Sequence, residues 1–121
     1  MRYNLKGTNL AITPEMREYL EKRLASLDKF LSDQGAARAD VEFEYAIGEE
    51  KKHRAEFMIH NPGQGAPLRA EARGNTLHEA IDVAVGDVFR ELTRAKKKRV
   101  HVVRRGAAKV KDIIRGFRDR F

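Results

Sequence analysis

The sequence predicts an α+β fold of order β-α-β-β-β-α, a four-stranded sheet with two helices packed on one face, plus a basic C-terminal tail. Three observations lead there. Two segments carry apolar residues at helical spacing, and four carry apolar and polar residues in alternation. Three of the alternating segments also follow one another across short turns, which implies an antiparallel meander covered by the two helices. A length of 121 residues suits one domain. We divide it into an α+β domain over residues 1–99 and a basic amphipathic extension over residues 100–121.

Residues 2–8 form the first strand, with Tyr3 and Leu5 on one face and Asn4 and Lys6 on the other. Ile12-Thr13-Pro14-Glu15 then starts a helix: Thr13 can cap, Pro14 suits the first helical position, and Glu15 complements the positive end of the dipole. Met16, Leu20, Leu24, Leu27 and Leu31 make an apolar stripe to about residue 33, and Gly35 is the expected stop. Val41 to Ile47 alternates as a half-buried strand, and the stretch from Gly48 to Lys52 makes the turn. Ala55, Phe57 and Ile59 form the inner side of a third strand, with Arg54, Glu56 and His60 facing the other way. After the Asn61-Pro62-Gly63-Gln64-Gly65 turn, Leu68, Ala70 and Ala72 alternate with Arg69, Glu71 and Arg73. Thr76-Leu77-His78-Glu79 has the form of a capping box. The helix behind it carries Leu77, Ala80, Ile81, Ala84, Val85, Val88 and Leu92 on one side, and tolerates Gly86 at a cost of about 1 kcal/mol relative to Ala.

Composition excludes several classes of function. There is no cysteine, hence no disulfide, thiolate chemistry or Cys-based zinc site. The first residues lack the apolar run of a secretory signal, and no segment has the length of apolar sequence a membrane span needs. The expectation is a soluble, cytoplasmic protein. His53, His60, His78 and His101 are scattered without metal-ligand spacing, so no metal or cofactor is expected. Gly63-Gln64-Gly65 lacks the Gly-Lys-Ser/Thr ending of a phosphate loop, and Glu42 and Glu44 share the polar face of one strand as solvated carboxylates do. Nothing here suggests an enzyme.

The net charge of +7 is unevenly spread: residues 1–93 hold 13 Lys+Arg against 16 Asp+Glu, and residues 94–121 hold 12 against 2. Such a basic block attracts polyanions through counterion release. Part of it is organised. Arg90, Arg94, Lys97 and Lys98 fall at i, i+4, i+7 and i+8 and form one ridge; Arg90 and Arg94 lie about 200° from Val88 and Leu92, so the ridge points away from the core. Lys96 and Arg99 widen it. Lys22, Arg23 and Lys29 of the first helix are expected to be exposed but are intermixed with Glu15, Glu18, Glu21 and Asp28, the pattern of an ordinary surface helix. Further on, Val110, Ile113, Ile114 and Phe117 recur at helical spacing between basic residues. That short cationic helix can dock on its own domain, fold on RNA or a protein partner, or lie on an anionic membrane.

The chain resembles the ribosome hibernation promoting factors, also called ribosome-associated inhibitors or subunit-interface proteins. The resemblance rests on Ile12-Thr13-Pro14, Arg17, Arg23-Leu24, Leu27 and Lys29-Phe30, on Pro62, Leu68 and Ala70, and on Ala80-Ile81-Asp82 with Arg90, Leu92 and the run from Arg94 to Arg99. It covers about residues 1–99. It implies a fold similar to a double-stranded RNA-binding domain, sited on the small ribosomal subunit between head and body, in the mRNA/tRNA channel at the decoding region. It also implies translation blocked by occlusion without catalysis, and a protein monomeric off the ribosome with no small-molecule substrate and no membrane partner. The candidate rRNA contacts are Lys22, Arg23, Lys29, Arg90, Arg94, Lys96, Lys97, Lys98, Arg99, Arg104 and Arg105. Departures from the family pattern fall at Thr76-Leu77-His78, at Ser26 in place of a common Lys, at Asp87 in place of a basic residue and at Glu91 in place of a Gln. The extra dimerisation domain of long members has no counterpart here, so ribosome pairing by this chain alone is not expected. Two other functions fit the basic ridge or the tail: a general structured-RNA-binding module, and a protein-interaction adaptor acting through the amphipathic tail.

Overall fold

A computed structural model describes residues 1–31, 35–62 and 65–94. The elements are β1 (Arg2–Thr8), α1 (Pro14–Leu27) with a single 3-10 turn behind it (Asp28–Phe30), β2 (Arg38–Tyr45), β3 (His53–His60) and β4 (Leu68–Gly74). A second helix, α2, is helical across residues 77–94. The sheet order is β1-β2-β3-β4; β2, β3 and β4 run as the expected antiparallel meander, and β1 lies parallel to β2. Parallel neighbours need a crossover, and α1 supplies it by passing over one face of the sheet.

Strand register builds the core in rows. Leu5, Val41, Phe57 and Ala70 stand side by side across all four strands, flanked by Tyr3, Ala39, Ile59 and Leu68 on one side and by Gly7, Phe43, Ala55 and Ala72 on the other. Large residues thus stand beside small ones, which leaves room for the helices. Gly7 is required at its place, since a Cβ there would lie 2.4 Å from the carbonyl oxygen of Leu10. Leu20, Leu24 and Leu27 of α1, and Leu77, Ala80, Ile81, Ala84, Val85, Val88 and Leu92 of α2, are buried against these rows. Tyr19 touches His78, with ring centroids 4.3 Å apart, and bonds Asp82; further along, Phe30 meets Phe89 edge to face at 4.8 Å. Contacts advance in the same direction along both helices, so α1 and α2 run parallel, side by side.

Both helix starts are capped as the sequence predicts. Thr13 accepts the Met16 amide at 3.2 Å, and Thr76 accepts that of Glu79 at 3.1 Å. The Glu79 carboxylate reaches back to the amide of Asn75, one residue before the usual capping-box partner. Other boundaries differ. Regular α-helix ends at Leu27, because Asp28–Phe30 tightens to 3-10 geometry and Leu31 turns extended, still buried. The expected continuation to residue 33 falls partly outside the described residues. β2 begins at Arg38, three residues before the expected start, and stops at Tyr45. Ala46 leaves the ladder to bond the Lys52 carbonyl at 2.6 Å, so Ile47 lies on the turn, 80% exposed.

The outer sheet face is a charge ladder more than a set of solvated carboxylates. Arg54, only 9% exposed, binds Glu44 at 3.0 Å and Glu71 at 2.8 Å, and also pairs with Glu42 and Glu56. Arg69 adds contacts of 3.3 Å to Glu56 and Glu71. Hydrogen bonds from Arg54 hold the carboxyls of Glu42 and Glu71 below their usual range, and the bond with Glu71 foremost raises Arg54 itself. Asp40 is lowered chiefly by its bond from Asn4, and next by His60.

Two outcomes follow for stability. Phe57 is fully buried at the sheet centre, so Phe57→Ala is expected to cost about 3–5 kcal/mol in urea unfolding. Arg54→Met should cost on the order of 2 kcal/mol at neutral pH, less than breaking a fully buried pair because the carboxylates stay partly solvated. Lowered folded-state carboxyl pKa values contribute stability that is present above the unfolded value of 4.5 and lost as pH falls through the folded one. The stability gap between wild type and Arg54→Met should therefore shrink on acidification from pH 7 to below 4.5; a constant gap would contradict the ladder.

Candidate nucleic-acid interface

Residues outside the α2 core stripe carry the candidate cations. Arg90 and Arg94 project from the solvent side of the helix, each with 69% side-chain exposure. Neither is free. Arg90 pairs with Asp87 and Arg94 with Glu91 at 3.1 Å, each one helical turn back. Those acids stand at two of the positions where the chain departs from the pattern it resembles. Exposed pairs of this kind contribute only a few tenths of a kcal/mol, so a phosphate can displace the acid readily.

On α1, Lys22 is exposed and sits 3.9 Å from Glu18. Arg23, expected to be exposed, is half-buried, because its Nε turns toward Asp82 of α2, 3.4 Å away. That approach is a charge pair without an aligned hydrogen bond, because the buried Nε has no hydrogen-bond partner. Lys29, in the 3-10 turn, places its ammonium 5.3 Å from the centre of the Phe30 ring. The structure therefore brings Arg23 and Lys29 together at an open groove of about 340 Å³ between the helices, along with Ser26, Gly86 and Phe89. Lys22, Arg90 and Arg94 do not line it. Lys96, Lys97, Lys98, Arg99, Arg104 and Arg105 lie outside the described residues, as do His101 and the whole extension.

Asp82 and Phe89 are the two residues that sequence reasoning passed over as participants. Asp82 accepts the Tyr19 hydroxyl and faces Arg23, so it ties α1 to α2 and fixes where Arg23 stands. Phe89 is 42% exposed. Of the described histidines, His53 packs on Tyr45, His60 bonds Asp40 at 3.0 Å and His78 packs on Tyr19. Among the described residues no group of three or more acids and histidines could hold a metal ion, and no helix is long and apolar enough to cross a membrane.

Residues 3–100 match the profile of the Sigma 54 modulation protein / S30EA ribosomal protein family. The chain belongs to this family. It is 26% identical over 98 residues to the ribosome hibernation promotion factor of Bacillus subtilis, covering 81% of this chain and 50% of that protein. It is 32% identical over 94 residues to the ribosome hibernation promotion factor of Deinococcus radiodurans, covering 78% and 48%. The chain thus spans about half the length of these relatives. The fold superimposes on the Protein Y N-terminal domain of Thermus thermophilus with a TM-score of 0.67 at 35% identity, covering 78% of this chain and 98% of that one. A ribosomal subunit interface protein from Coxiella burnetii shares the fold, with a TM-score of 0.65 at 18% identity over 80% and 99% of the two chains.

If Asp87 and Glu91 compete with phosphate for Arg90 and Arg94, the double variant Asp87→Asn/Glu91→Gln should bind structured RNA roughly 3- to 5-fold more tightly, the sum of two exposed helix pairs. A filter-binding titration at fixed salt checks this. Unchanged affinity would mean that the two arginines make no phosphate contact.

Proposed function

We infer that this domain is a ribosome-binding hibernation factor that docks its helical face on rRNA of the small subunit, in the mRNA/tRNA channel at the decoding region, and stops translation by occlusion. The observation that carries this reading is the family match over residues 3–100, joined to a fold shared with the Thermus thermophilus domain at 35% identity. The charge pattern supports it. A domain whose sheet face is internally compensated has its adaptable cations on the two helices, and the strongest run of positive charge in the sequence begins at Arg94. Cations on a rigid helix neutralise backbone phosphates and so position the domain, and occlusion then needs no catalytic group. In this reading Lys22, Arg23, Lys29, Arg90, Arg94 and Lys96 to Arg99 meet rRNA, with Arg104 and Arg105 extending the contact. The protein acts in the cytoplasm and is monomeric off the ribosome.

Reversal of Arg90, Arg94, Lys97 and Lys98 to Glu tests it. Small-subunit binding should be abolished while the thermal unfolding curve keeps its cooperative shape, since Arg90 and Arg94 are exposed. Retained binding by a folded variant would remove this ridge as the contact. Deleting residues 104–121 should weaken binding and flatten its salt dependence, each lost phosphate contact taking roughly 0.7–0.9 from the log–log slope. An unaltered slope would assign those residues another role.

A further inference from the structure

The groove between α1 and α2 has a chemistry of its own. Its α2 rim is Phe89, a large aromatic left 42% exposed, on a helix that also exposes Val83. A lone exposed aromatic would need no explanation. Phe89 is not alone: Phe30 holds it edge to face at 4.8 Å, with the rings 82° apart, and Lys29 sits over Phe30. The ring is therefore propped in place by a neighbour. Cations stand beside it, as Arg23 and Lys29 line the same groove. Arg23 reaches the groove with a side chain 36% exposed, while its buried Nε faces Asp82 at 3.4 Å. Between them the floor is lowered at Gly86, where a Cβ would meet no atom within 4 Å, so no packing constraint requires glycine there. An aromatic face, two cations and a floor without a side chain, in a groove at the lower end of the size that small ligands occupy, match a nucleotide better than any other RNA component.

We propose that this groove captures one unpaired RNA nucleotide, its base stacked on Phe89 and its phosphate held by Arg23 and Lys29. The proposal rests on the RNA-binding reading above and adds to it a contact with a base in place of phosphates alone. Stacking is tolerant of base identity, because every base has a π-face, so the site selects a flipped or single-stranded nucleotide over a paired one.

The sequence contains no tryptophan, so Phe89→Trp installs a unique fluorophore in the groove. Its emission should be quenched by a short unstructured oligonucleotide RNA at saturation, and much less by a blunt RNA duplex. In parallel, Phe89→Ala should bind the oligonucleotide and small ribosomal subunits roughly 5- to 150-fold more weakly, with the salt slope unchanged, while Phe89→Tyr retains affinity. Arg23→Gln/Lys29→Gln should instead flatten the slope. Emission indifferent to saturating RNA, or full affinity in Phe89→Ala, overturns the proposal. Dependence of that emission on protein concentration would then tell a second copy in the groove from the chain's own C-terminal residues. The two readings fail separately. Quenching by the oligonucleotide without subunit binding keeps the groove and removes the ribosome, and tight subunit binding indifferent to Phe89 does the reverse.

Discussion

The parallel pairing of β1 with β2 is the constraint on which the remaining architecture depends. Neighbouring parallel strands cannot be joined by a hairpin, so the intervening chain must cross one face of the sheet, and α1 is that crossing. Once one face is taken by α1, the alternation of β2, β3 and β4 must present its apolar side to the same face. α2 then completes the cover, side by side with α1. A two-faced molecule results. Among the described residues, Lys22, Arg23, Arg90 and Arg94 stand on the helical side, and on the sheet side Arg54 and Arg69 pair with the glutamates around them.

Those two sides treat charge differently, and the difference has physical consequences. On the sheet, Arg54 sits among four carboxylates with its donors engaged, an arrangement that resists outside anions because displacing any partner leaves a nearly buried guanidinium short of acceptors. On the helices the pairs are exposed and loosely made. Arg90 with Asp87, Arg94 with Glu91 and Lys22 with Glu18 are each local to one turn, and each can be exchanged for a phosphate at little cost. Residues 1–93 carry more acids than bases, so the proposed long-range attraction to RNA would have to come from residues 94–121. The helical face then supplies geometry more than net charge.

Most of the fold was legible because its signals are periodic. Thr13-Pro14 marked the start of α1, the Leu20-Leu24-Leu27 stripe marked its buried side, and the alternation around Phe43, Phe57 and Ala70 marked the sheet interior. Boundaries were less legible where a small residue carries the pattern: Ala39 is fully buried yet gives little hydrophobic signal, and Ile47 looks like a strand residue but lies on a turn. Pairings between elements left no local trace. Nothing near Arg54 in sequence announces that Glu42, Glu44 and Glu71 converge on it, since strand register alone brings them together. The same holds for the site. Spacing along α2 identified Arg90 and Arg94 as a ridge pointing outward, but the placing of Arg23 by Asp82 and the propping of Phe89 by Phe30 are contacts across the two helices.

Cosedimentation of the purified protein with ribosomes and separated subunits, at moderate and high salt and with an unrelated duplex RNA as competitor, separates recognition of one rRNA surface from general attraction to phosphate. A helical face matched to a particular rRNA surface predicts saturable binding to the small subunit that survives excess duplex at moderate salt. Binding that the duplex removes in proportion to its phosphate concentration, or binding to both subunits alike, would contradict it and leave a general RNA-binding domain.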